Sequence, residues 1–391
     1  MTTFSETVSD ANRAQLAYIE ETTFGSQVTG SNLQTMRLTG ESLKGTQETQ
    51  VSNELRSDRQ ISDIVRTGLG MSGGVNAEMS YGAYDDLILA GLMASAWSSP
   101  VTVGPITTID ASDTDNSFND SANGFGSLVV GQWVKVSGFT TAANNGIFKL
   151  TSVAAGKIIV SGGTLVTEAV GDSVTIVMGA QAVNGTTKIS FNIERKYTDL
   201  SNEFALFTGC MVNGFGLSVA LKNMVTASFD FAGKKEESET ASGGTGYDAA
   251  PTNSILNTVD HIEGLLENQA SVAAKEFSMN LANNLTPREK LGALGAFDVG
   301  TGECGVTGSL NAYFKTKTLY DKYLNDTETS LAIVMQDAAG NAYVIDLPAV
   351  KFSDGDRPAP GKNQDIMANL SYNAKMHATE GITIRIAKFA A

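Results

Sequence analysis

Residues able to move protons or hold a metal are few in this chain. His261 and His377 stand without a neighbouring cysteine or a second histidine at ligand spacing, so neither a zinc site nor an imidazole base assembles around them. Cys210 and Cys304 are the only cysteines, one in each half, which excludes a disulfide framework and leaves any metal to unrelated ligands. The acidic run Asp110 to Asp120 invites calcium. Yet Asp113, Asp115 and Ser117 are followed by Phe118 where a calcium loop needs glycine, and no bidentate glutamate closes the run, so it reads as a solvated linker. TGLGMSGG (67–74) lacks the Lys-Ser/Thr of a phosphate loop, and no G-x-S-x-G elbow occurs. Carboxylate pairs are plentiful, and none is set apart by spacing. The expectation is a chain with no catalytic, cofactor-binding or metal-binding residues.

Chemistry of recognition is better represented. Arg56, Asp58, Arg59, Asp63 and Arg66 mix both signs within the connection from Thr46 to Met71. A connection of about 25–30 residues is uncommon in a compact domain. Two readings stand: a surface made to pair with another charged surface, or a solvated loop whose internal ion pairs are each worth little. The formal charge of −15 opposes wrapping a nucleic-acid backbone, which requires Lys and Arg on phosphates. It suits a surface past which a polyanion moves without sticking. No window approaches the roughly 18 consecutive apolar residues of a membrane span, and MTTFSETVSD lacks the plan of a signal peptide. A chain made and kept in a cytoplasm is expected.

The scaffold that positions these residues is visible in one stretch, 73–97. Val75, Ala77 and Met79 alternate with Asn76, Glu78 and Ser80, the period of a strand buried on one face. Tyr84, Leu87, Ile88, Gly91 and Leu92 then recur at three- and four-residue spacing, predicting a helix with Asp85 and Asp86 in its dipole-favoured first turn. The unit returns at 305–324, displaced throughout by 231 residues. Gly74 maps to Gly305, Met79 to Leu310, and Ile88, Leu89, Leu92 and Met93 to Leu319, Tyr320, Tyr323 and Leu324. Thr318 and Asp321 are spaced for a capping box. A two-copy repeat this long indicates two like domains.

A length of 391 residues suits two or three domains, and 40 glycines against 7 prolines indicate many turns between short strands. Residues 1–34 read as a mobile or partner-ordered arm with one short strand around Ala14 to Glu20. After Trp97 the composition shifts. SLVVGQWVKVSG, GIFKLTSVAAGKIIVSG and DSVTIVMG make 104–179 a small self-contained β-barrel or sandwich with no counterpart in the second copy. That marks an insertion, expected on the outside of the parent fold. The first copy, 1–103, resumes over 180–232, where Ile189, Phe191 and Ile193 alternate with polar residues. Residues 233–270 are charged and then Gly/Ser-rich, a linker or loop too polar to order itself. The second copy fills 271–391 and ends with Ile382, Ile384 and Ile386 alternating.

MSYGAYDDLILAGL, SFNIERKYTD, FTGCMVNGFGLSV with MVTASFDFAGK, and GVTGSLNAYF with LYDKYLND form an ordered series. This series resembles the major tail tube proteins of long-tailed, non-contractile (siphovirus-type) bacteriophages. The resemblance covers both copies and excludes the insertion. It implies a mainly β (α+β) fold: two tandem tail-tube-like β-sandwich units, each with a flanking helix, plus the inserted small β domain. It also implies a structural, non-enzymatic virion protein without cofactors, made in the host cytoplasm and placed in the tail. Subunits of that family close into rings whose inner wall is a continuous β-barrel, and the rings stack into a tube that conducts double-stranded DNA to the host. Expected partners are further copies of the chain and the tape measure, tail terminator and distal tail proteins, with no membrane. If each copy of the repeat supplies one tube unit, a ring resembling the usual sixfold one is built from three chains, a pseudo-hexameric trimer, rather than from six. Arg56, Asp58, Arg59, Asp63 and Arg66, with the arm before Asn32, become candidates for contacts between stacked rings. Two other classes stay open. One is a different phage component, such as a baseplate or capsid-decorating protein. The other is a carbohydrate-binding or hydrolytic role of the insertion, with Trp133, Phe139 and Phe148 as stacking residues rather than core.

Overall fold

The computed structural model describes residues 8–391, and the fold is mainly β, with two α-helices among the described residues. Ten of its strands fall into two matching sets. β1 (Lys44–Val51), β2 (Ile64–Glu78), β3 (Phe191–Tyr197), β4 (Phe204–Ala220) and β5 (Thr226–Gly233) come from the first part of the chain. β6 (Ala274–Ala282), β7 (Gly305–Tyr313), β8 (Thr329–Gln336), β9 (Ala342–Asp356) and β10 (Met367–Ala374) come from the second. Helix α1 (Asp85–Gly91) follows β2, and α2 (Thr318–Leu324) follows β7.

Eight of these strands form one antiparallel run in the order β1-β2-β5-β4-β6-β7-β10-β9. The first four and the last four share one plan: two strands, a helix, then a strand that pairs elsewhere, then two strands returning to the sheet. β3 pairs with the N-terminal half of β4, and β8 does the same with β9. Even the irregularities coincide. The β3–β4 ladder steps from Phe191↔Cys210 to Ile193↔Phe207, and β8–β9 steps from Thr329↔Val350 to Leu331↔Leu347. The β4–β5 ladder shifts between Val212↔Phe231 and Gly214↔Asp230, and β9–β10 shifts between Phe352↔Tyr372 and Asp354↔Ser371. Bulges fix register because a one-residue slip would turn every side chain to the wrong face. Matched bulges therefore equate Val212 with Phe352 and Gly214 with Asp354.

Carried across the sheet, this equivalence places Val75, opposite Phe229, with Leu310, opposite Leu370. The strand offset is thus 235 residues, not the gapless 231 expected from sequence. Apolar alternation alone cannot separate the two, because both keep the same residues on the apolar side.

That side is the core. Val75, Ala77, Phe215, Phe229, Phe277, Leu281, Leu310 and Tyr372 lie in a single buried cluster, with the Phe215 and Phe229 rings stacked at 5.2 Å. In α1, Leu87, Ile88, Ala90 and Gly91 are buried, while α2 has no buried residue. The expected Thr318–Asp321 capping box does not form. Lys317 is the N-cap and makes no side-chain cap bond, since Thr318 is already the first helical residue.

A separate seven-stranded sheet occupies the span from Val101–Ile106 to Val174–Met178 and has its own apolar cluster, including Phe118, Phe125, Phe148 and Ile176. It rests on the second half of the chain through Trp133, which packs with Leu266, Val334, Val344 and Phe389. Beside this contact, Asp346 accepts from Lys149 at 2.9 Å and from Arg385 at 3.2 Å, all three nearly or fully buried.

Three stretches are more ordered than their composition suggests. The connection from Thr46 to Met71 is not a loop: β1 and β2 pair from Lys44↔Ser72 out to Val51↔Ile64 as one long hairpin. In the arm, Ala14–Glu20 pairs with β3 along its whole length and buries Leu16, Ala17 and Tyr18; the part before Val8 lies outside the described residues. Within 233–270, Lys235–Glu239 pairs with β4, Tyr247–Asp248 with Leu33–Gln34, and Ile262–Glu267 with β8. Each is stabilised by hydrogen bonding to a strand already held in the core, and Ile262–Glu267 also buries Leu266.

Candidate functional site

The face of the eight-stranded run opposite the core has a uniform chemistry. One transverse row reads Glu78, Thr226, Ser218, Ser278, Ser309, Ser371 and Asp354, each directly across from the next. The adjacent row reads Asn76, Ser228, Gly216, Asn280, Thr307 and Asn373. Small hydroxyls bond across the strands, as between the Ser278 and Ser309 Oγ atoms at 2.7 Å. Asp230, Glu276 and Asp356 add negative charge on the same side.

Cations are nearly absent from this wall. β4, β5, β7 and β10 contain no Lys or Arg at all. Across those four strands the face has no point at which to neutralise a phosphate, and a row of serines offers only weak, exchangeable hydrogen bonds; Lys44 on β1 and Lys351 on β9, opposite Asn373, stand toward its two ends. Physically its middle is a polar, mildly anionic wall with little grip. Periodicity shows the alternation, but the rows are not legible in the sequence because their residues lie in seven separate strands.

The five charged residues singled out from sequence cluster at and near the end of the β1–β2 hairpin. Arg56 Nη2 and Asp58 Oδ2 are 2.6 Å apart, and this bond holds the Asp58 carboxyl below its usual range. Arg59 takes a left-handed conformation at the turn (φ 58°), Asp63 accepts from the Ile64 N–H at 2.8 Å, and Arg66 sits opposite Thr49. All five are exposed. What the sequence reading passed over is apolar: Val51, Leu55, Ile61, Ile64 and Val65 are also exposed here. An apolar set on a projecting hairpin marks a contact surface better than charge alone. The signal was in plain sight among the charges.

Other sequence candidates resolve into structure. Trp133, Phe139 and Phe148 are buried, so they offer no stacking platform. Asp120 is buried; burial alone would raise its carboxyl, but hydrogen bonds from Thr108, Ala122 and Gly124 hold it below the usual value. His261 Nδ1 accepts from the Asn257 N–H and His377 Nδ1 from the Glu380 N–H, both at 3.1 Å. Cys210 and Cys304 are free thiols pushed up by burial. Among the described residues no group of three His, Cys, Asp or Glu could hold a metal, and no helix is long and apolar enough to cross a membrane.

A search of curated proteins finds no match to the chain. A family model described as phage tail tube protein matches residues 11–374, which take in the whole wall, the hairpin and both helices. The chain belongs to the phage tail tube protein family.

Proposed function

We propose that this protein is the tube subunit of a siphovirus-type tail, assembling into stacked rings through which double-stranded DNA leaves the capsid. The observation that carries the reading is the eight-stranded wall: polar and small on one side, cored on the other, and built from two four-stranded halves of one plan. Each half acts as one tube unit, the first formed by 1–103 with 180–232 and the second by 271–391. Residues 233–270 join them, and 104–179 is an insertion on the side away from the wall. Three chains then supply a ring of six units, a pseudo-hexameric trimer. Its partners at the ends and in the bore are the tail terminator, distal tail and tape measure proteins.

Electron microscopy of tubes formed by the purified chain tests this directly. Averaged images are expected to show rings of three chains enclosing a bore wide enough for a duplex, and six chains per ring would overturn the arrangement. The hairpin carries a second expectation, that Arg56, Asp58, Arg59, Asp63 and Arg66, with the apolar residues beside them, join one ring to the next. Replacing Ser52 to Asp63 by a two-residue turn is expected to leave thermal melts unchanged, because no core contact is lost, while single rings replace tubes in negative stain. Tubes of normal length from that variant would refute the role.

A further inference from the structure

The internal joint between the two halves is a template for the joint between copies. We infer that chains join head to tail through an antiparallel seam in which Asp354, Gly355 and Asp356 at the end of β9 face Thr46, Gly45 and Lys44 of a second copy. The inference rests on the ring reading above and specifies its contact residue by residue.

Within one chain, β4 and β6 pair from Gly214↔Ala282 to Ala220↔Glu276. The matched bulges equate Gly214 with Asp354. Pairing across β2 and β7 equates Thr46, opposite Gly70, with Ala282, opposite Gly305, and Gly45, opposite Met71, with Leu281, opposite Val306. Both partners of the joint therefore recur in the chain, but at opposite ends of the eight-stranded run, where they cannot meet. Among the described residues β1 pairs only with β2, and the end of β9 only with β10.

Four further observations agree with this pairing. Asp354 and Asp356 share the polar face with Lys44, so Asp356 would stand opposite an ammonium. Gly45 and Gly355 would oppose each other on the core side, where two hydrogens leave space for α2: a Cβ on Gly355 would already lie 3.1 Å from Tyr323. The edge N–H of Gly45 donates to Glu236 and that of Gly355 to Asp354, so carboxylates occupy the positions that neighbouring carbonyls would take. Lastly, the helices differ in cover. α1 is sealed by the second half, with Asn283 Nδ2 donating to Gly91 O at 2.9 Å and to Val212 O at 3.0 Å. Gln47, another carboxamide, holds the place of Asn283 in the first half. In the second half α2 has no such cover, and Leu324, the counterpart of Gly91 at the helix end, is 61% exposed. An unsealed helix beside an unpaired strand is the same joint with one partner missing.

Thr46 and Asp354 would form a non-hydrogen-bonded antiparallel pair, the spacing that a disulfide spans. In a Cys304→Ser background, tubes carrying Thr46→Cys and Asp354→Cys are expected to yield dimers and closed trimers on mild oxidation, with either single cysteine giving none. Well-formed tubes that do not cross-link would overturn the seam while leaving the ring reading intact. Should the cysteine pair prevent assembly, charge reversal decides. Lys44→Asp alone is expected to reduce tube yield at least tenfold, and adding Asp356→Lys is expected to restore it. A double variant no better than the single one would refute the register, and a wild-type chain that never forms rings would refute the function itself.

Discussion

Virions whose tubes carry Asn280→Arg and Ser371→Arg are expected to assemble normally and to release DNA poorly at low salt. Both positions are exposed on the polar face, on strands that are covered on the opposite side, so the substitutions disturb no packing. They place guanidinium groups on β6 and on β10, which has neither Lys nor Arg, and in the proposed tube each ring would repeat them. Phosphate contacts of this kind are strongly salt-dependent: six to ten of them lose about 10³ to 10⁵ in affinity between 50 and 200 mM salt. The predicted signature is a slow ejection at 50 mM that recovers toward the wild-type rate at 200 mM, followed by dye entry into released DNA. Equal rates at both salt concentrations would show that this face does not meet the duplex.

The second large effect concerns stability. Asp346→Asn is expected to lower unfolding free energy by about 3–5 kcal/mol, the usual cost of leaving buried charge uncompensated. Asp346 is fully buried, and its carboxylate is the common acceptor for Lys149, from the seven-stranded sheet, and Arg385, from a strand beside β9. Glu380 lies 3.5 Å from Lys149 and 2.8 Å from Arg385, and its side chain is 16% exposed, so it offsets only part of the loss. The amide keeps the shape and removes the charge, which separates electrostatics from packing. Urea midpoints measure the effect, and a midpoint equal to wild type would mean that water already reaches the cluster.

Legibility from sequence followed the physics of burial. Strands with one buried face announced themselves: Val75 with Ala77 and Phe191 with Ile193 alternate because period two is what such a strand requires. The helix after β2 was equally plain, since Leu87, Ile88 and Gly91 share one face. The hairpin was not, because Gln47, Glu48, Thr49 and Gln50 are exposed on both sides and have no apolar period, although each is ordered by pairing with β2. Tyr247 and Asp248 likewise take their order from Leu33 and Gln34, more than 200 residues away. The repeat was visible as a change of period, but its register was not, because an alternating pattern looks the same after a shift of four. Only the matched bulges, at Phe191 and Thr329 and at Val212 and Phe352, supply an absolute mark.

The joint between β4 and β6 lies within one polypeptide, and this affects how fast any larger structure can grow. A contact closed during folding is intramolecular: it does not slow on dilution, and the tether holds its two sides at high effective concentration. An assembly that repeats this joint around a circle needs diffusion to supply only every other one. Its growth should therefore depend less steeply on subunit concentration than growth from separate halves, and fewer incomplete circles should accumulate when subunits are scarce.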